Sequence, residues 1–194
     1  MMRRLFTLVA LFATISAVAE ERGQALLQRI SQHYAEMGSY EMQFVLRVAG
    51  GEQKGVLMVE DNDSYMRVGD TEIYVADSLR YEVRSNAKEI VIDKAALYDK
   101  ELLNPTNGFA SIVADYNVEE CERSGAKSVR LTPKRSGETI YVLLKGDGAT
   151  IAKVEYGADE HSAEMIVESC QKSSRPLPRF SNKDYKGFEL VDFR

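Results

Sequence analysis

The chain has 194 residues, with 25 basic against 30 acidic side chains and a formal net charge of −5. That balance, without a basic stripe interleaved with aromatics, excludes a general nucleic-acid binder. Two histidines and two cysteines are too few for a metal-dense site, and 44% apolar residues suit one domain with a real core.

The first residues read as an export signal. "MMRR" is a short basic stretch, "LFTLVALFATIS" an uncharged apolar run, and Ala17-Val18-Ala19 places small residues before Glu20. The run is too short to span a bilayer comfortably, and Glu20-Glu21-Arg22 follow at once. Residues 1–19 are therefore expected to be cleaved, leaving residues 20–194 as a single exported domain. No cysteine stands at the expected new N-terminus, which argues against a lipid anchor.

The next segment, "GQALLQRISQHYAEMGSY", repeats Leu26, Leu27, Ile30, Tyr34 and Met37 at three- and four-residue steps. This spacing predicts an amphipathic helix, with Gly38 as its stop. The period then changes to two. In "YEMQFVLRV", Tyr40, Met42, Phe44, Leu46 and Val48 alternate with their neighbours, as in a strand with one apolar face. "KGVLMVE", "YMRVGD", "TEIYVAD" and "LRYEV" follow, separated by turn residues, which predicts an antiparallel meander.

The middle breaks the rhythm. Pro105 and Gly108 precede an apolar run in which Phe109, Ile112 and Val113 share a helical face, predicting a short helix near 106–115 within a long connection. The meander resumes with "NVEECERS", "KSVRLTPK", "TIYVLLK", "TIAKVEYG" and "AEMIVESC", and closes in "YKGFELVDFR". Ten or eleven strands and two helices make a mainly β, α+β domain. So many strands must curl into a barrel or split into two sheets. Two helices are too few to cover a flat sheet, but they would plug the mouth of an incomplete barrel.

Catalytic signatures are missing: the chain has no G-x-S-x-G, H-E-x-x-H, P-loop or G-x-G-x-x-G motif. Asp61-Asn62-Asp63 begins like a calcium loop but lacks its glycine and distal glutamate, so it reads as a polar turn. Glu119 and Glu120 adjoin on a strand and point to opposite faces, which makes them poor partners for acid–base work. His161 reads as a turn residue. Nothing calls for a cofactor or a metal. Cys121 and Cys170 either form a disulfide or remain two buried thiols. Arg67 lies in an apolar strand and faces either solvent or the interior, where its five donors would need partners.

Taken in order, "GVLMVEDNDSYMRVGDTEIYVADSLRYEV", "NPTNGF" and "YKGFELVDFR" resemble the periplasmic outer-membrane lipoprotein carrier LolA family, in its Bacteroidetes branch. The resemblance spans essentially the whole processed chain. It implies an unclosed antiparallel β-barrel whose helices form a lid over an apolar cavity for lipoprotein acyl chains. It also implies a monomer in the periplasm of a Gram-negative envelope, with acylated lipoproteins as cargo, an inner-membrane loading complex and an outer-membrane acceptor. The family's lid-latching arginine falls on Arg67. The family's proline before that arginine and tryptophan after it are absent here, where Val68 follows and the chain has no tryptophan.

Strand parity then supplies cavity candidates: Phe44, Leu46, Leu57, Val59, Ile73, Val75 and Met165, with Phe109, Ile112 and Val113 as the lid. In the hairpin Thr139–Gly157, Leu143 and Val154 are assigned inward, with the opposite assignment, Ile140, Val142 and Leu144 inward, left open. Met37, Met42, Met58, Met66 and Met165 suit a pocket that repacks around variable shapes, or are ordinary core filling. The expected function is a carrier that shelters acyl chains. The alternatives are a sensor or regulator of the same fold that binds lipid or peptide, and a hydrolase of envelope material.

Overall fold

A computed structural model describes residues 2–96, 98–157 and 163–194. His161 and its turn lie outside the described residues. Helix α1 (Met2–Met37) ends where expected, because Gly38 takes φ +68° and its N–H returns to the Ala35 carbonyl at 3.1 Å. Among the described residues, no helix is long and apolar enough to cross a membrane.

Six strands follow as a meander: β1 (Tyr40–Val48), β2 (Gly51–Glu60), β3 (Asp63–Val68), β4 (Thr71–Ala76), β5 (Leu79–Arg84) and β6 (Glu89–Lys94). A π turn at Tyr98–Leu102 and a 3-10 turn at Pro105–Asn107 lead into α2 (Ala110–Asp115). The second meander comprises β7 (Tyr116–Arg123), β8 (Ala126–Pro133), β9 (Ile140–Leu144), β10 (Ile151–Tyr156) and β11 (Ala163–Lys172). Residues 173–188 cross the sheet, and β12 (Glu189–Asp192) closes the chain.

The strands form one unclosed sheet in the order β12-β6-β5-β4-β3-β2-β1-β11-β10-β9-β8-β7. Twelve strands lie among the described residues, β6 being the addition to the expected count. Neighbours are antiparallel except β12, which runs parallel to β6. The two meanders meet where β1 pairs with β11.

Register sorts the side chains into two faces. Tyr40, Met42 and Phe44 stand opposite Val59, Leu57 and Gly55, and Leu57 opposite Met66, so they share a face. That inner face packs with Leu26, Leu27, Ile30 and Tyr34 of α1, together with Val118, Leu131, Val142, Val154 and Met165 from the second meander. Helix α1 lies on edge strand β7, where Gly23 sits directly over the Val118 backbone.

The outer face of β2 to β6 is also apolar. Met58, Tyr65, Tyr74, Val83, Ile90 and Ile92 are buried there under Leu177, Phe180, Tyr185 and Phe188 of the crossing segment. The Phe180 ring stacks on Tyr81 at 4.3 Å and on Tyr185 at 5.8 Å. Tyr65 and Tyr185 donate hydrogen bonds to the two oxygens of Glu72, at 2.6 and 2.8 Å. The C-terminal segment is therefore a strap that covers a second apolar layer.

One expectation is corrected here, and the alternative left open for the cysteines is decided. Strand β9 pairs Val142, not Leu143, with Val154, so Ile140, Val142 and Leu144 face inward. Leu143 lies on the outer face between Ser128 and Lys153. A register shift between Ile151 and Lys153 keeps Ile151 and Val154 on the inner side together. The cysteines are free. Cys121 pairs with Ser128 on the outer face of β7, whereas Cys170 pairs with Met42 on the inner face of β11. Four strand spacings of about 4.8 Å separate those strands, well beyond the ~7 Å limit between Cα atoms for a disulfide.

Candidate functional site

Helix α1 is fixed at several points. Leu26, Leu27, Ile30 and Tyr34 are buried on the sheet, and the Tyr34 hydroxyl accepts the Ile151 N–H at 3.2 Å. The Arg29 guanidinium donates to the Asp147 carbonyl at 2.7 Å, and His33 meets the Thr150 hydroxyl at 3.1 Å. Both partners belong to the β9–β10 turn. There the Asp147 carboxyl accepts from the Thr150 hydroxyl and from the N–H groups of Thr150 and Ala149, which hold its pKa down at about 2.

Helix α2 is short and is held by polar ties at both ends as well as by its buried apolar side. The buried Glu101 carboxylate accepts the N–H groups of Ser111 and Ile112 at 3.0 and 2.9 Å, so it caps the helix N-terminus. At the other end Lys134 donates to the carbonyls of Val113 and Ala114 at 2.9 and 3.0 Å. Upstream, Asn104 is 1% exposed and its amide donates to the Asp61 carbonyl in the β2–β3 turn at 2.9 Å. The Thr106 hydroxyl reaches the same carbonyl at 3.3 Å.

Between the two helices runs a groove of about 600 Å³. Leu27, Phe109, Ala110 and Val113 form its apolar wall, and Gln24, Gln28 and Gln32 its polar one. This volume lies in the range of small-ligand sites. Behind it is the inner face of the sheet.

The structure places the expected site residues as follows. Phe44, Leu57, Val59, Val154 and Met165 are buried in the inner core with α1. Leu46 is half-buried against that core. Ile73 and Val75 lie on the same face by register. Val75 borders a separate hollow of about 490 Å³ beside Asp61 and Glu101. Phe109 and Ile112 are buried and Val113 half-buried, so the short helix does bring its apolar side to the core. The inner-face side chains pack on one another and on α1, and the groove lies at the helices rather than beneath the strands.

Arg67 is a further correction. It pairs with Val56 and Glu72 on the outer face and is exposed, on the opposite side of the sheet from α2. It borders an outer groove of about 660 Å³ with Lys54, Val56 and Tyr65. The side-chain ties to α2 and the connection before it come instead from Glu101, Asn104 and Lys134. Accordingly, Arg67→Leu is expected to change stability by no more than about 0.5 kcal/mol in thermal unfolding.

Tyr40 stands out within the inner core. It is 0% exposed, its ring lies 5.0 Å from that of Tyr34, and its hydroxyl has no hydrogen-bond partner. Leaving such a group unmatched costs roughly 1–3 kcal/mol. Burial pushes the Tyr40 and Tyr34 hydroxyls and the Cys170 thiol upward in pKa. Among the described residues, no group of three or more His, Cys, Asp or Glu could hold a metal ion.

The fold is an unclosed β-barrel-like sheet with a long helix on its inner face and a second, short helix beside it. No family model and no curated protein matches the chain. Solved structures do share the fold. An uncharacterized conserved protein from Thermus thermophilus aligns with a TM-score of 0.58 at 10% identity, over 88% of this chain and 98% of its own. The Pseudomonas aeruginosa MucA/MucB complex contains a chain that aligns with a TM-score of 0.51 at 13% identity, over 86% of this chain. The present chain spans 61% of that chain's length. A putative outer membrane lipoprotein-sorting protein domain from Vibrio parahaemolyticus also aligns, at a TM-score of 0.45 and 10% identity, over 86% of this chain and 97% of its own. At these identities the likeness to the first two is one of fold alone.

Proposed function

We propose that the processed chain, residues 20–194, is a carrier in the periplasm that shelters the acyl chains of lipoproteins and moves them toward the outer membrane. The observation that carries this reading is the groove between α1 and α2. It opens to solvent beside the apolar cluster that α1 and Phe109 share with the sheet, and one side of it is a short helix whose N-terminus is capped by the Glu101 carboxylate.

The energetics favour a closed, filled resting state over an open hollow. Each buried methylene is worth about 0.8 kcal/mol, so fully enclosing a chain of about fifteen would release roughly 12 kcal/mol. A shuttle with that affinity would not release its cargo. Breaking the ties of Glu101 and Asn104 and displacing packed side chains offsets part of that gain. Met42 and Met165, both in the inner core, suit repacking around a guest. The reading assigns no catalytic role. Glu119 pairs with Arg130, and Glu120 with Lys127 at 3.1 Å, so neither is poised as a paired acid and base.

The test is to mix the purified chain beginning at Glu20 with membranes bearing an acylated lipoprotein. The expected result is a soluble one-to-one complex that then gives the lipoprotein to acceptor membranes. Lipoprotein that stays entirely with the membranes rules the reading out. A second reading, a sensor or regulator of another envelope protein, is supported by the fold shared with a chain of the MucA/MucB complex. Stable binding with no hand-over decides for it.

A further inference from the structure

The outer groove of about 660 Å³ lies beside the strap, across β11, β1, β2 and β3. Half-buried Val56 and buried Met58 and Tyr65 form its floor. On the β1 side Glu41 is buried and pairs with Arg175 of the strap. On the β2–β3 side Lys54 and Arg67 are exposed, and neither forms an ion pair with a described carboxylate. Elsewhere in the sheet Arg47, Arg84, Arg123 and Arg130 each hold one.

The strap explains the difference. Register sets Glu72 opposite Arg67, but the two Glu72 oxygens accept the hydroxyls of Tyr65 and Tyr185. The carboxylate that the ladder would give Arg67 is thus taken up by the strap, and the guanidinium is left for another partner. Arg67 stands directly across from Val56, and Lys54 is two residues from Val56 on the same face. The two cations are therefore diagonal neighbours, with backbones about 7–8 Å apart. Side chains two residues apart in an extended polypeptide recur at nearly that distance, about 6.7 Å.

We propose that this groove binds an extended segment of a partner protein, with two carboxylates two residues apart set over Lys54 and Arg67 and an apolar side chain on Val56. The strap itself shows that the outer face takes a polypeptide laid across the strands, and the groove continues its trough past Arg175 and Pro178. Charge sets the partner's chemistry and its direction. Exposed Glu168 stands at the β11 end, so the two ends of the groove differ in sign. A uniformly anionic lipid surface would meet Glu168 as well as the cations, and would be repelled by a chain of net charge −5. The inference goes beyond the acyl-binding reading and is separate from it, since that groove lies between the helices on the other side of the sheet.

The experiment selects a bead-displayed library of random decapeptides on the purified wild-type chain, with counter-selection on the double variant Lys54→Gln, Arg67→Gln. Enriched peptides are expected to carry two acidic residues two positions apart beside an apolar one. The strongest of them, fluorescently labelled, should bind the wild type about tenfold more tightly than the double variant. Replacing its acidic residues by their amides should lose the same factor, and added salt should weaken binding to the wild type. No enrichment, enrichment without acidic residues, or equal binding to the double variant overturns the inference. So does sedimentation of the wild type alone with phosphatidylglycerol vesicles when no peptide is selected, which assigns the cations to a lipid surface. Both side chains are exposed, so the double variant should melt with the wild type and still hand lipoprotein on. If it melts early, Arg67→Gln alone and the salt series decide by the same criteria.

Discussion

Replacing Gly23 by valine is expected to destabilise the protein by about 2–3 kcal/mol. A Cβ at this position would stand 2.7 Å from the Val118 carbonyl oxygen and 2.8 Å from the Glu119 nitrogen. Those are backbone atoms of edge strand β7, which cannot swing aside as a side chain can, so α1 must lift from the sheet. Its buried row, Leu26, Leu27, Ile30 and Tyr34, would lift with it. For a chain of this size the loss corresponds to a fall in melting temperature of roughly 5–10 °C. Gly23→Ala should cost less, because alanine recovers about 1 kcal/mol of helix propensity. A valine variant that melts with the wild type would show that α1 does not dock at this point.

The second large effect is local. Glu101→Ala removes the acceptor for two N–H groups at the start of α2, and that of Ile112 is buried. The expected cost is about 2–3 kcal/mol, felt as opening of α2 rather than as loss of the whole fold. Amide exchange at Ser111 and Ile112 should accelerate about 30- to 150-fold, while that of β1 and β11 stays as it was. Glu101→Gln retains one carbonyl oxygen and should fall between. Unchanged exchange in Glu101→Ala would show that α2 is held by packing alone, and the resting state argued for a carrier would lose its gate.

These ties show why part of the site was not legible. The period-two pattern of Tyr40, Met42, Phe44, Leu57 and Val59 marks an inner face because a one-residue slip would turn every apolar side chain outward. In β9 that signal is absent: Ile140, Tyr141, Val142, Leu143 and Leu144 are apolar or aromatic at every position. Only the pairing of Val142 with Val154 shows which of them face α1. Arg67 was ambiguous for the same reason, and pairing with Val56 and Glu72 places it outside. Glu101, Asn104 and Lys134 carry no local signature at all. Their partners lie 11, 43 and 21 residues away, and no spacing rule reaches that far.

The outer layer was likewise invisible. Met58, Tyr65, Tyr74 and Val83 occupy the positions that alternation assigns to solvent, and they are buried because the strap bearing Leu177, Phe180 and Tyr185 crosses over them.

What the order of side chains determined alone is the set of elements: one amphipathic helix ended by Gly38, a long antiparallel run, and a short helix set in a Pro- and Gly-marked connection. Those depend on spacing within a few residues, where backbone geometry dictates which side chains share a side. Tertiary structure alone decided that the sheet stays open between β7 and β12, that the C-terminal strap covers its outer face, and that Tyr40 keeps an unmatched hydroxyl in the core. Each of these depends on contacts between distant segments, whose free energy is a property of the packed chain and of no stretch within it.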